Sequence, residues 1–240
     1  MSTIYLIDDL ANNGHSAMHR ASPKMKMFSA VVALGAVISS TSLSALVGQF
    51  LLAIVFQAVS RLPVRRLLIW AVYPVFFAAI FAISQAQYSL ALSAQTVLRA
   101  IDAALFMLLL INTTPFTRII ALVGKVSSTL SSLAFFSYRF LFLFVEESEQ
   151  RLTAIRVRGG LHGSVWSKVR NAASLMGLLF VSFMESGEKV YDAIKTRGYQ
   201  GRLSIEAATA GAITRDDGAP LLLAALAVAI FLLGSVSHLP

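Results

Sequence analysis

Three long stretches of the chain, residues 28–60, 67–98 and 219–240, carry no charged side chain, the last holding only a histidine. A helix needs roughly 20 mostly apolar residues to cross about 30 Å of hydrocarbon. Residues 28–60 are long for one crossing and short for two, and the polar break SSTS at 39–42 splits them into the halves of a tight helical hairpin. LLIWAVYPVFFAAIFAIS (67–84) predicts a third span; its Pro74 is tolerable because neighbouring helices can satisfy the freed carbonyl. SQAQYSLALSAQ (84–95) reads as an uncharged loop or helix start, and a fourth span runs to about Ile111. PLLLAALAVAIFLLGSVS (220–237) predicts a last one. Residues 112–217 follow another pattern. There LAFFSYRFLFLFVEESEQ (133–150) and NAASLMGLLFVSFMESGEK (171–189) each join an apolar run of about 13 residues, short for a crossing, to a charged half. The pattern predicts an all-α membrane protein, a bundle of about five transmembrane helices plus amphipathic helices at one membrane surface.

Charge orients the bundle. Basic residues cluster at 20–26, 61–66 and 118–125, while the turns at 39–42 and 84–95 have none. The positive-inside rule then gives four spans with the N-terminus in the cytoplasm. The expected organisation is a cytoplasmic segment at 1–26, about four spans at 27–111, cytoplasmic-side helices at 112–217 and a C-terminal span at 218–240. MSTIYLIDDLANNGHSAMHRASPK does not read as a secretory signal, because its acids precede its bases and it is polar throughout. The net charge of +8 fits basic cytoplasmic loops, and no basic-aromatic groove pattern points to nucleic acid. With no cysteine, disulfides and thiolate metal sites are excluded.

One pattern occurs twice, 39 residues apart, as ESEQRLTAIRVRGG (147–160) and ESGEKVYDAIKTRGY (185–199). Glu149 aligns with Glu188, Ala154 with Ala193, Ile155 with Ile194, Arg156 with Lys195, Arg158 with Arg197 and Gly159 with Gly198. Leu152 and Ile155, like Val190, Tyr191 and Ile194, form an apolar stripe on an otherwise charged helix. Each glycine is placed to stop its helix at positive φ, with basic residues complementing the dipole of the last turn. That accounts for one copy. Two copies serving one role must lie on one membrane face, and the single short apolar run between them cannot cross twice. Both arginines then face the cytosol, where guanidinium can meet the carboxylates of an acidic groove on a partner and glycine permits close backbone approach.

The order TTPFTRII (113–120), FSYRFLFLFVEESEQRLTAIRVRG (136–159) and ESGEKVYDAIKTRGYQG (185–201) resembles the transmembrane T component of energy-coupling factor (ECF) transporters, in particular the cobalt/nickel-type CbiQ family. Residues 112–201 carry the resemblance, and Asp8 with Ser22-Pro23-Lys24 adds to it more loosely. The family's twin Ala-Arg-Gly motifs end coupling helices that bind two ATPase subunits; this chain has Val157-Arg158-Gly159 and Thr196-Arg197-Gly198, keeping arginine and glycine but not the leading alanine. The resemblance implies a non-catalytic coupling subunit of an ATP-driven importer in the bacterial inner membrane. It implies a docking set of Ala154, Arg156, Arg158, Gly159, Ala193, Lys195, Arg197 and Gly198. It also implies a small substrate-binding membrane partner that holds the metal, with cobalt as the first substrate, nickel the second and a vitamin a further alternative. No cofactor is expected on this chain, since ATP belongs to the partner subunits.

The remaining signals weigh little against this reading. No G-x-x-x-x-G-K-[ST] loop occurs, because Gly124-Lys125 lacks the upstream glycine. His15 and His19 at i, i+4, near Asp8 and Asp9, could share a helix face as metal ligation requires, but Asn12-Asn13-Gly14 interrupts that helix and a polar tail is the preferred reading. Arg99 and Asp102, at i, i+3 within the fourth span, are expected to pair with one another or to contact a partner subunit. Glu146, Glu147 and Glu149 form a solvated face, with Glu147 positioned to pair with Arg151. No Ser/His/Asp order or HExxH supports hydrolysis. The competing function is a stand-alone cation channel or secondary transporter, which would call for ionisable residues at the midplane and inverted repeats; here the repeat is direct and lies outside the spans.

Overall fold

A computed structural model describes residues 3–14, 16–124, 127–160, 164–198 and 217–236. These form ten helices and no strand: α1 (Thr3–Asn13), α2 (Ala17–Arg20), α3 (Pro23–Ser39), α4 (Leu43–Val59), α5 (Val64–Ala86), α6 (Leu90–Thr113), α7 (Phe116–Val123), α8 (Ser128–Val157), α9 (Val165–Thr196) and α10 (Gly218–Val236). They belong to two compact units, Met1–Leu122 with Ala207–Pro240, and Val123–Glu206. The protein is an all-α membrane protein.

In the first unit the helix ends fall where local chemistry puts them. The expected hairpin forms: α3 stops at Ser39, and the Ser42 hydroxyl caps α4 by accepting from the Ala45 N–H at 3.3 Å. α5 runs unbroken through Pro74. Between α4 and α5, Arg61 takes a left-handed turn with φ of 56°.

Packing departs from the usual soluble pattern on the outside rather than in the core. The interior is a contiguous cluster including Val37, Leu46, Ala53, Leu67, Leu105, Phe106 and Ala227, drawn from α3, α4, α5, α6 and α10. Large apolar side chains also cover the outside, with Val72, Phe76 and Phe81 each more than 60% exposed. Such a surface suits hydrocarbon rather than water. α10, which follows a separation of a hundred residues from α6, seats against α3 and α4 through small residues. A β-carbon added at Gly234 would lie 2.4 Å from the Ala45 Cβ and 2.5 Å from the Ser42 Oγ, so only glycine allows that approach.

Four helices are long and apolar enough to cross a membrane, α5, α6, α8 and α10, with α4 a shorter apolar helix of 17 residues. The membership differs from the expectation at α8. Its apolar run looked short because the serine-rich stretch before it was not counted, whereas the Ser127 side chain caps a helix that begins there and extends 30 residues. α3 is not among the four; Lys24 and Lys26 occupy its first turns.

The end of the bundle that carries the N-terminus is tied by polar groups rather than left as a free tail. Lys26 is 1% exposed, and its ammonium donates to the Thr113 carbonyl at 2.7 Å and the His19 carbonyl at 3.0 Å. Thr113 is the last residue of α6, so Lys26 supplies a donor that this helix end lacks. The Ser22 N–H donates to Asp217 Oδ1 at 2.6 Å, so the carboxylate beside α10 caps α3, whose own Ser22 side chain makes no cap bond. Replacing Lys26 with Met should remove both hydrogen bonds, costing on the order of 3 kcal/mol and lowering the thermal midpoint in detergent. Gly234→Leu should loosen α10, read as a lower thermal midpoint in detergent.

Candidate coupling-helix ends

In the second unit, α8 and α9 end in the same way. After α8, Arg158 is the last near-helical residue and Gly159 turns to φ of 73°. The Gly159 N–H donates to the Arg156 carbonyl at 3.1 Å, and the Gly160 N–H reaches back to the Ile155 carbonyl at 2.9 Å. These two bonds are a Schellman closure. After α9, Arg197 takes the position of Arg158, Gly198 turns to φ of 80°, and its N–H donates to the Lys195 carbonyl at 3.0 Å. Both glycines sit where a side chain would be strained.

The closure leaves the basic side chains outward. Ala154, Arg156, Val157 and Arg158 are exposed at one end, and Ala193, Lys195, Thr196 and Arg197 at the other, while Ile155 and Ile194 turn partly inward. Val157 and Thr196, which stand in place of alanine, point to the surface. The Thr196 hydroxyl satisfies itself by donating to the Ala193 carbonyl at 2.9 Å. Lys195 Nζ lies 5.8 Å from the centroid of the Tyr191 ring, a cation–π contact along the exposed face of α9.

α8 and α9 touch one another where their apolar halves give way to charged ones. Phe144 and Phe183 pack at a centroid distance of 4.8 Å. One turn on, Arg151 pairs with Glu147 at 2.5 Å, the Ser182 hydroxyl donates to the same carboxylate at 2.5 Å, and Arg151 Nη2 donates to Ser182 Oγ at 3.0 Å. The Ser182 bond and then the Arg151 bond hold the Glu147 carboxyl below the usual carboxylate range. Farther along, Asn171 Nδ2 on α9 donates to the Gly160 carbonyl at 2.7 Å and so braces the end of α8.

A model of the CbiQ family, described as cobalt transport protein, matches residues 14–206, most of the chain. The chain belongs to this family. No curated protein matches it. The match spans both Arg-Gly ends, so the CbiQ-family assignment rests on the stretch that contains the repeated motif.

The other residues singled out in the sequence fall differently. Arg99 and Asp102 do not pair: the Arg99 guanidinium donates to the Ser40 carbonyl of α3's end, and the fully buried Asp102 carboxylate has no hydrogen-bond partner. The i, i+3 spacing permitted the pair, but α6 packs against both α3 and α4 and turns the two side chains into different surroundings. His15 lies outside the described residues. His19 is buried, with Nε2 at 3.1 Å from the carbonyls of both Leu10 and Asn112 and Nδ1 at 2.7 Å from Ser16 Oγ, so its ring is used in packing the N-terminal segment onto α6. Among the described residues no cluster of three His, Asp or Glu could hold a metal ion. The Glu147–Arg151 pair forms as the spacing predicts. Ser182, Asn171 and Gly160 were not anticipated. Only Gly160 left a signal, as the second of two adjacent glycines.

Gly159→Val and Gly198→Val should each cost about 1–2 kcal/mol at the helix end and speed hydrogen exchange over its last turn, without disturbing the α8–α9 contact. Because the Glu147 pKa is lowered on folding, its contribution is complete above the ordinary glutamate value of about 4.3 and is lost as pH falls through the depressed one. The gap in thermal midpoint between the wild type and Glu147→Gln should therefore narrow as the pH is taken below about 4.

Proposed function

We propose that this CbiQ-family chain is the coupling subunit of an ATP-driven, ECF-type cobalt importer. The observation that carries the reading is the pair of matched helix ends, each a glycine closure that presents an exposed arginine, Arg158 and Arg197. Two equivalent cationic ends suit two equivalent acidic grooves, such as those of two ATP-binding subunits. The charged half of α8 and the length of α9 would lie at the cytoplasmic surface of the bacterial inner membrane, with the N-terminus on the same side. ATP would be bound by those subunits, whose closure shifts α8 against α9. That shift would pass to a small membrane partner that binds cobalt, or nickel in a variant of the same system, and reorient it. This chain would then supply neither the nucleotide site nor the substrate site.

Reversing both charges, Arg158→Glu with Arg197→Glu, should abolish co-purification with the ATP-binding subunits and cobalt uptake in cells. Either single change should weaken assembly by about tenfold or more, the usual consequence of leaving a charged partner unpaired. Normal assembly and uptake by the double variant would refute the docking role. Cobalt flux through liposomes holding the purified chain alone would instead favour the stand-alone channel.

A further inference from the structure

At the end of the bundle away from the N-terminus lies a polar cavity of about 460 Å³, where the α3–α4 turn meets the facing ends of α5 and α6. Its wall is built from hydrogen-bonded pairs. Gln95 Nε2 on α6 donates to the Thr41 carbonyl at 2.9 Å, the Thr96 hydroxyl donates to Gln85 Oε1 at 2.6 Å, and the Arg99 guanidinium donates to the Ser40 carbonyl. The Thr96 hydroxyl also lies 3.0 Å from the Leu92 carbonyl, and it holds the Gln85 carboxamide at the cavity wall. Tyr88 lines the same cavity and is 86% exposed.

Charge makes the cavity unusual. Between Arg66 and Asp102 the sequence has no charged residue except Arg99. Asp102 is fully buried and does not reach it, and among the described residues no carboxylate forms an ion pair with Arg99. A guanidinium in a membrane bundle without an anion is costly, and among the described residues none pairs with this one. The Arg99 Nε is itself buried without a partner, so the charge is only partly satisfied by the Ser40 carbonyl. Leu92 lines the cavity, and Ile83 and Leu90, each two positions along the chain from a lining residue, are 73% and 79% exposed. Oriented donors, one uncompensated cation, an exposed tyrosine of the kind that marks membrane interfaces, and flanking apolar side chains together match a lipid head with its chains.

We propose that this cavity seats the phosphate of an anionic phospholipid in the leaflet at that end of the bundle. Arg99 supplies the charge, the Gln85 amide and Tyr88 hydroxyl supply orienting hydrogen bonds, and the acyl chains run over Ile83 and Leu90. The inference rests on the chain spanning a bilayer and not on the coupling role. Its failure would leave that role untouched.

The test is native mass spectrometry of the full chain released from nanodiscs of phosphatidylcholine with a minor share of phosphatidylglycerol. The wild type should retain one phosphatidylglycerol, Arg99→Gln should retain about tenfold less, and Arg99→Lys, which keeps the charge, should fall between them. Arg118→Gln, at the other end of the bundle, should match the wild type. An unchanged thermal midpoint for Arg99→Lys keeps the comparison free of misfolding. Equal retention by the wild type and Arg99→Gln would overturn the proposal. So would displacement of the lipid by excess inorganic phosphate, which would reassign the cavity to a free anion. Loss of a co-purifying membrane protein from Arg99→Gln with lipid retention unchanged would reassign it to an acidic protein segment.

Discussion

A helix ends with carbonyls, and begins with N–H groups, that have no partner inside the helix, and hydrocarbon offers no water to supply one. Much of this structure can be read as answers to that constraint. α6 finishes on Lys26, whose ammonium is buried to reach the Thr113 carbonyl. α3 begins on a carboxylate 195 residues away, at Asp217. Ser42 caps α4 from within its own turn. The first two of these contacts stitch the first unit across separations of 87 and 195 residues.

The second unit answers the same constraint without burying anything. α8 and α9 close their last turns with glycines at positive φ, whose backbone N–H groups return to the carbonyls of Arg156 and Lys195. Side chains that would otherwise be needed as caps are left over. Arg158 and Arg197 stand at these ends without a structural task inside the unit, which is what a docking surface requires. The two helices are meanwhile held together at the Phe144–Phe183 and Glu147–Ser182–Arg151 contacts, one apolar and one charged. These contacts join the two helices away from the Arg-Gly ends, which stay exposed.

What could be read in the sequence was what is local. The break at 39–42, the passage of α5 through Pro74 and both Arg-Gly ends follow from neighbours a few residues apart, and the structure bears them out. Contacts made between distant segments were not legible. Lys26 and His19 read as parts of a solvated basic tail because their partners, Thr113 and Asn112, are about ninety positions away. Arg99 and Asp102 read as a pair because spacing along one helix says nothing of the helices packed around it. The length of α8 was not legible for a third reason: the apolar run marks only part of the helix, which a serine cap at Ser127 starts several residues earlier.

The central claim is that α8 and α9 convert nucleotide binding into motion. The chain has no cysteine, so cysteines placed at Val157 and Thr196, both exposed beside the arginines, would carry the only spin labels in this subunit. The distance between the two labels, measured by pulsed electron resonance in the complex purified with its ATP-binding subunits, is the most direct test. A distribution that shifts on adding ATP under non-hydrolysing conditions, and returns on its removal, is the predicted result. A distribution indifferent to nucleotide would contradict the account and reduce the two Arg-Gly ends to helix caps.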